Sequence, residues 1–190
     1  MNDPRPTIIF SHGKESGPWG SKILAMAAVA RESGLNVESV DYQGIDDPHE
    51  RMLRLLDAAR QQQPPLILAG ASMGGHVSAA AASSVHAIGL FLLAPAFYMP
   101  GYEQHTPQRV RCRTTIVHGW NDVVVPVENS IRWAREHCSA LHLLDSDHRL
   151  QDQIPAICNL LREFLCEVGA VVDQCVAGSG VGAGSGTGED

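Results

Sequence analysis

"PPLILAGASMGGHVSAAAASS", residues 64–84, decides the fold. Its first part is an apolar run of strand length, bounded before by two prolines. Its last part, from Met73, is rich in alanine and has the length of a short helix. Between them a serine stands among small residues, in the pattern Gly70-x-Ser72-x-Gly74, with Gly75 next. Short patterns of small residues recur by chance, so the weight of this one depends on its surroundings. A strand that turns into a helix with hardly a residue between them is one unit of an alternating α/β chain.

The flanking sequence repeats that unit. Residues 7–11, "TIIFS", read as a buried strand, and 36–42, "NVESVDY", as a second. "SKILAMAAVARESG" between them has helical spacing and ends on Gly34. Asp47-Pro48-His49-Glu50 starts another helix: a capping side chain, a proline in the first turn, and an acid three residues after the cap. On the far side of the serine, "AIGLFLLA", "CRTTIVHG" and "ALHLLD" read as strands, 127–137 as a helix, and 153–168 as a last helix with one apolar stripe. Strands rich in Ile, Val and Leu that alternate with helices predict about six mostly parallel strands covered on both faces. Right-handed crossovers then bring every strand's C-terminal end to one edge.

Composition narrows the function. A chain of 190 residues suits one domain. A net charge of −7 argues against general affinity for nucleic acid or an anionic membrane. The N-terminal stretch lacks a signal pattern, and no apolar run approaches the roughly 18 residues of a membrane span. A cytoplasmic protein acting on a small molecule is the expectation; nothing in the sequence bears on oligomeric state. Cys112, Cys138, Cys158, Cys166 and Cys175 include no C-x-x-C pair and read as free thiols. No P-loop, H-E-x-x-H or EF-hand spacing occurs, so neither cofactor nor metal is expected. Residues 169–190 are dominated by Gly, Ser and Ala and are expected to be a disordered tail. "GSGVGA" within it matches a dinucleotide fingerprint, but too little chain follows for the helix that such a site requires.

The predicted active edge gathers the chemistry. Strand one is followed by His12-Gly13-Lys14, strand three by Ser72, the fifth by His118-Gly119-Trp120-Asn121-Asp122, and the sixth by Ser146-Asp147-His148. A serine hydroxyl needs a base to take its proton, histidine suits that task, and a carboxylate orients the imidazole. Backbone N–H groups must meet the developing oxyanion. Met73, at the helix start, offers one and Lys14 the other, with Gly13 allowing close approach. Asp145 and Asp147 are rival acids, but their nearness to His148 in sequence makes the required turn unusual. His12 and His118 are expected to bond loop backbone, and His76 to pack the elbow helix. Trp19, Phe97, Tyr98, Tyr102 and Trp120 fall in loops on this edge. Of these, Trp19, Phe97, Tyr98 and Trp120 are candidate substrate-lining residues.

With "SHGKES", "GASMGG", "HGWNDVVVP" and "DSDH" in this order, the sequence resembles the α/β-hydrolase superfamily, specifically its small, capless serine esterases. The resemblance covers roughly residues 6–168. It implies a minimal α/β-hydrolase fold without a cap, with Ser72 as nucleophile, Asp122 as acid and His148 as base. Lys14 and Met73 would supply the oxyanion hole. The implied activity is cleavage of a carboxylic ester or thioester through an acyl-enzyme, without a cofactor. A peptidase, an acyltransferase or a carbon–carbon bond hydrolase would use the same triad, and a non-catalytic binding protein could keep the fold. The family's two leading antiparallel strands have no room before residue 7, and the interval between Ser72 and Asp122 is too short for a lid.

Overall fold

The computed structural model describes residues 5–102 and 110–170. Six strands in these residues form one parallel sheet: β1 (Thr7–Ser11), β2 (Asn36–Val40), β3 (Leu66–Ala71), β4 (Gly89–Leu93), β5 (Arg113–Gly119) and β6 (Ala140–Leu144). Their spatial order is β2-β1-β3-β4-β5-β6. The helices between them are α1 (Ser21–Glu32), α2 (Pro48–Arg60), α3 (Met73–Ala82), α4 (Val127–His137) and α5 (Ile154–Glu167).

Alternation along each strand explains the two layers. Ile8, Phe10, Ile67, Ala69, Phe91, Leu93 and Val117 point to one face, where α1 and α5 bury them. Ile9, Leu66, Leu68, Leu90, Leu92 and Ile116 point to the other, under α2, α3 and α4. The central strands therefore read as unbroken apolar runs, because neither face meets water. Each large aliphatic side chain so buried contributes about 1.5–3 kcal/mol against exposure. The largest fully buried side chain is Trp133 of α4, stacked on Phe97 with ring centroids 4.7 Å apart.

Local signals act as their chemistry requires. The Asp47 side chain accepts from the His49 N–H at 3.0 Å and Pro48 opens α2. The last helix ends differently from expectation. The tail was to begin at residue 169, yet Gly169 and Ala170 complete α5. Gly169 takes φ +69° and its N–H donates to Cys166 O, while Ala170 N–H donates to Leu165 O. This pair of bonds is a Schellman cap, which satisfies carbonyls that the helix itself leaves open. Ala170 is buried and joins the core beneath α1 and α5. The remainder of the expected tail, 171–190, and most of the loop after Tyr102 lie outside the described residues. Among the described residues, Cys112, Cys138 and Cys158 are free thiols.

The chain starts in β1, builds β2 on one side, and then crosses to β3 on the other. The direction in which strands are added thus reverses between β1 and β3, and the C-terminal ends of such a parallel pair open a crevice.

Candidate active site

Ser72 sits where β3 becomes α3, with φ 52° and ψ −120°. Such a backbone is costly for a residue with a Cβ, by about 1–3 kcal/mol, and persists only where surroundings enforce it. Four backbone hydrogen bonds do so here. Ser72 N–H donates to Leu93 O at 2.9 Å, and Ser72 O accepts from Gly75, His76 and Ala96 N–H. The turn is so tight that a Cβ on Gly70 would collide with Gly74 O, and one on Gly74 with Ser11 O. Glycine at both positions is a steric requirement of the elbow.

The expected partners converge on this serine. Ser72 Oγ lies 3.1 Å from His148 Nε2, and His148 Nδ1 lies 2.6 Å from Asp122 Oδ2. Because a carboxylate only accepts, Nδ1 carries the proton and Nε2 is left to accept from the serine. The two loops that carry the acid and the histidine are docked to each other. Trp120 N–H donates to Leu144 O and Asn121 N–H to Ser146 O. The Asn121 amide also donates to Asp145 Oδ1. Asp145 is thereby a loop brace. Asp147 Oδ1 accepts from Arg149 and Leu150 N–H, so it shapes the turn that presents His148. Lys22 on α1 ties this turn down by donating to Arg149 O at 2.5 Å.

Asp122 is enclosed, its side chain 0% exposed. Burial alone would raise its carboxyl. Hydrogen bonds from His118, His148 and the Val125 and Val124 N–H groups outweigh that and hold it far below the ordinary carboxylate range. His118 was expected to bond loop backbone, and it does reach Val125 O at 3.1 Å. It also donates from Nε2 to Asp122 Oδ2 at 3.0 Å, while Ser130 Oγ lies 2.7 Å from its Nδ1. Its contact with the acid was not legible, because the histidine lies a strand end away from the loop position it touches.

The loop after β1 packs directly on the elbow. A Cβ on Gly13 would stand 3.5 Å from Ser72 Cβ. Met73 N–H is the first of α3, where a helix has no internal acceptor to offer. His12 behaves as expected: its Nδ1–H donates to Gly13 O at 2.7 Å and its Nε2 accepts from Tyr42 N–H at 2.8 Å. Arg51 lies in the first turn of α2. It is 1% exposed and donates to Ile45 O at 2.7 Å and to His12 O and Gly13 O at 3.3 Å. Leaving buried carbonyls without such a donor costs about 1–3 kcal/mol each.

The aromatic expectations need correction. Phe97 is fully buried between Trp133 and His76 and cannot line a cleft. Tyr98 turns to α4, donating to Glu136 Oε2 at 2.7 Å beneath the Arg132 guanidinium. Both lie in the loop after apolar β4, and the periodicity of that strand carries no sign that the chain dives back onto the core. Trp19 stands partly exposed beside Arg31, and Trp120 is exposed on the acid loop. His76 is buried against Phe97 and Tyr102, under the elbow helix as expected. A surface hollow lined by Cys112, Arg113, His137 and Cys138 lies at the opposite edge of the sheet.

Comparison with known proteins fits this geometry. The family described as an alpha/beta hydrolase domain matches residues 4–156. The chain belongs to the α/β-hydrolase family. A candidate hydrolase of the α/β superfamily from Xanthomonas campestris pv. campestris is 32% identical, with a TM-score of 0.81 over 86% of this chain and 99% of that one. Two further α/β hydrolases share the fold at lower identity. A serine hydrolase without a lid from Xanthomonas campestris is 19% identical, with a TM-score of 0.70 over 88% of this chain and 86% of that one. Alpha/beta hydrolase domain-containing protein 10 from mouse is 19% identical, with a TM-score of 0.75 over 88% of this chain and 92% of that one. No curated protein matches the sequence significantly. As in the lidless α/β hydrolase, no cap domain interrupts the described residues, and no helix among them is long and apolar enough to cross a membrane.

Proposed function

We propose that this α/β hydrolase is a serine esterase or thioesterase that works through an acyl-enzyme. The observation that carries the reading is the continuous chain Ser72 Oγ–His148 Nε2, His148 Nδ1–Asp122 Oδ2, mounted on a strained elbow. As Ser72 Oγ attacks the acyl carbon, its proton passes to His148 Nε2. Asp122, held as a carboxylate by its donors, stabilises the imidazolium that forms. The oxyanion is met by the N–H groups of Met73 and Lys14. Collapse expels the alcohol or thiol, which leaves with the proton from His148. Water then gives a proton to the same nitrogen as it attacks the acyl-enzyme. Collapse breaks the bond to Ser72 Oγ, which takes that proton back from His148, and the acid is freed.

The test is reaction of the folded protein with a fluorophosphonate probe, with p-nitrophenyl acetate hydrolysis measured in parallel. Labelling at Ser72, lost in Ser72→Ala together with hydrolysis, is the expected result. A folded protein that takes no label and turns over no ester, thioester or peptide would point to a binding role.

A further inference from the structure

The end of β1 rests on a buried polar cluster that the catalytic chain does not include. Ser11 Oγ and Tyr42 Oη lie 2.9 Å apart, His12 is bonded to the Tyr42 N–H, and the Arg51 guanidinium lies over the Tyr42 ring at 5.2 Å. All four side chains belong to residues that are 0–1% exposed. Burying an arginine is expensive unless its donors are used. Two of the three carbonyls it serves belong to His12 and Gly13, the residues that lead into Lys14.

The direction of those carbonyls has a consequence for Lys14. The Gly13–Lys14 peptide is trans, so its C=O and N–H point in opposite directions within one rigid plane. His12 Nδ1 and the Arg51 guanidinium both hold the Gly13 oxygen. The Lys14 N–H must then leave the loop on the side away from those donors, and the Gly13 Cα faces Ser72. We infer that Arg51 is a positioning residue of the esterase reaction: by clamping the His12 and Gly13 carbonyls it aims the Lys14 N–H at the oxyanion. This rests on the serine hydrolase reading. A glycine loop without such a clamp could rotate the peptide at little steric cost, and a donor displaced by about 1 Å loses much of its effect on rate.

The experiment compares wild type with Arg51→Met and Arg51→Lys on p-nitrophenyl acetate, and measures inhibition by a trifluoromethyl ketone whose adduct with Ser72 bears the oxyanion. Folding is checked by thermal melting. In Arg51→Met, kcat should fall on the order of 100-fold with KM changed by less than about threefold. Affinity for the ketone should fall by a similar factor, because it reads the oxyanion site directly. Arg51→Lys should recover part of both, since an ammonium can still reach one carbonyl but not span the set. Folded variants with kcat near wild type overturn the inference, as does a loss of kcat without loss of ketone affinity. If Arg51→Met does not fold, Arg51→Lys decides on the same two readouts. Wild type that is neither labelled by fluorophosphonate nor active overturns the hydrolase reading and this inference together. Active wild type with unaltered Arg51 variants overturns the inference alone.

Discussion

Ser72, His148 and Asp122 come from three separate loops, and in the proposed reaction none acts without the other two. A serine without a base keeps its proton, and an imidazole without its acid can take the wrong tautomer. Their removal should therefore be non-additive. Ser72→Ala and His148→Ala should each lower kcat by on the order of a thousandfold or more, and the double variant should be hardly worse than either. Asp122→Asn should also cost heavily, because its amide would face two histidine N–H donors with a donor of its own. Asp145→Asn and Asp147→Asn serve as controls. Each keeps an acceptor oxygen for the loop bonds seen here, so each should be mild. Steady-state kinetics on one ester decides. A mild Asp122→Asn beside a damaging Asp147→Asn would reverse the assignment of the acid.

Helix α5 and its cap show what an element needs beyond its own apolar stripe. Ile157, Leu161, Phe164 and Leu165 bury one face, and this was legible from their spacing. Gly169 and Ala170, which follow the C-cap residue Val168, were not, because their composition matches the Gly-rich segment that follows. Gly169 serves as a left-handed cap, and Ala170 packs on the core. A chain ending at Val168 loses both, a change of about 1 kcal/mol for a helix cap, which corresponds to about 2–4 °C in Tm for a protein of this size. A chain ending at Ala170 keeps them and should melt like the full-length protein. Thermal unfolding of the two truncations makes the comparison; equal melting points for both would show that the cap adds nothing.

At the scale of the molecule, the parallel sheet does two things at once. It sends every strand's C-terminal end to one edge, and it leaves the crevice at the β1–β3 reversal where Gly13 meets Ser72. No cap domain covers that edge among the described residues, and Phe97 and Tyr98 turn away into the core and α4. Among the described residues this edge offers little apolar enclosure for the long acyl chain of a proposed substrate. We predict that kcat/KM across p-nitrophenyl esters is highest for short acyl groups and falls as the chain lengthens. A steady rise toward long chains would require an apolar channel that this arrangement does not provide.

The sequence by itself determined the alternation of strands and helices, the parallel sheet, the elbow at Ser72 and the order of the loops bearing serine, acid and histidine. These are local properties: apolar period, turn chemistry and spacing along the chain. Only the tertiary structure decided that His118 shares Asp122, that Arg51 of α2 clamps the loop after β1, and that Phe97 is core and not cleft. Each of these depends on a contact between residues whose neighbourhood is set by helix packing. A side chain's local sequence carries no record of the carbonyl it will meet across a layer.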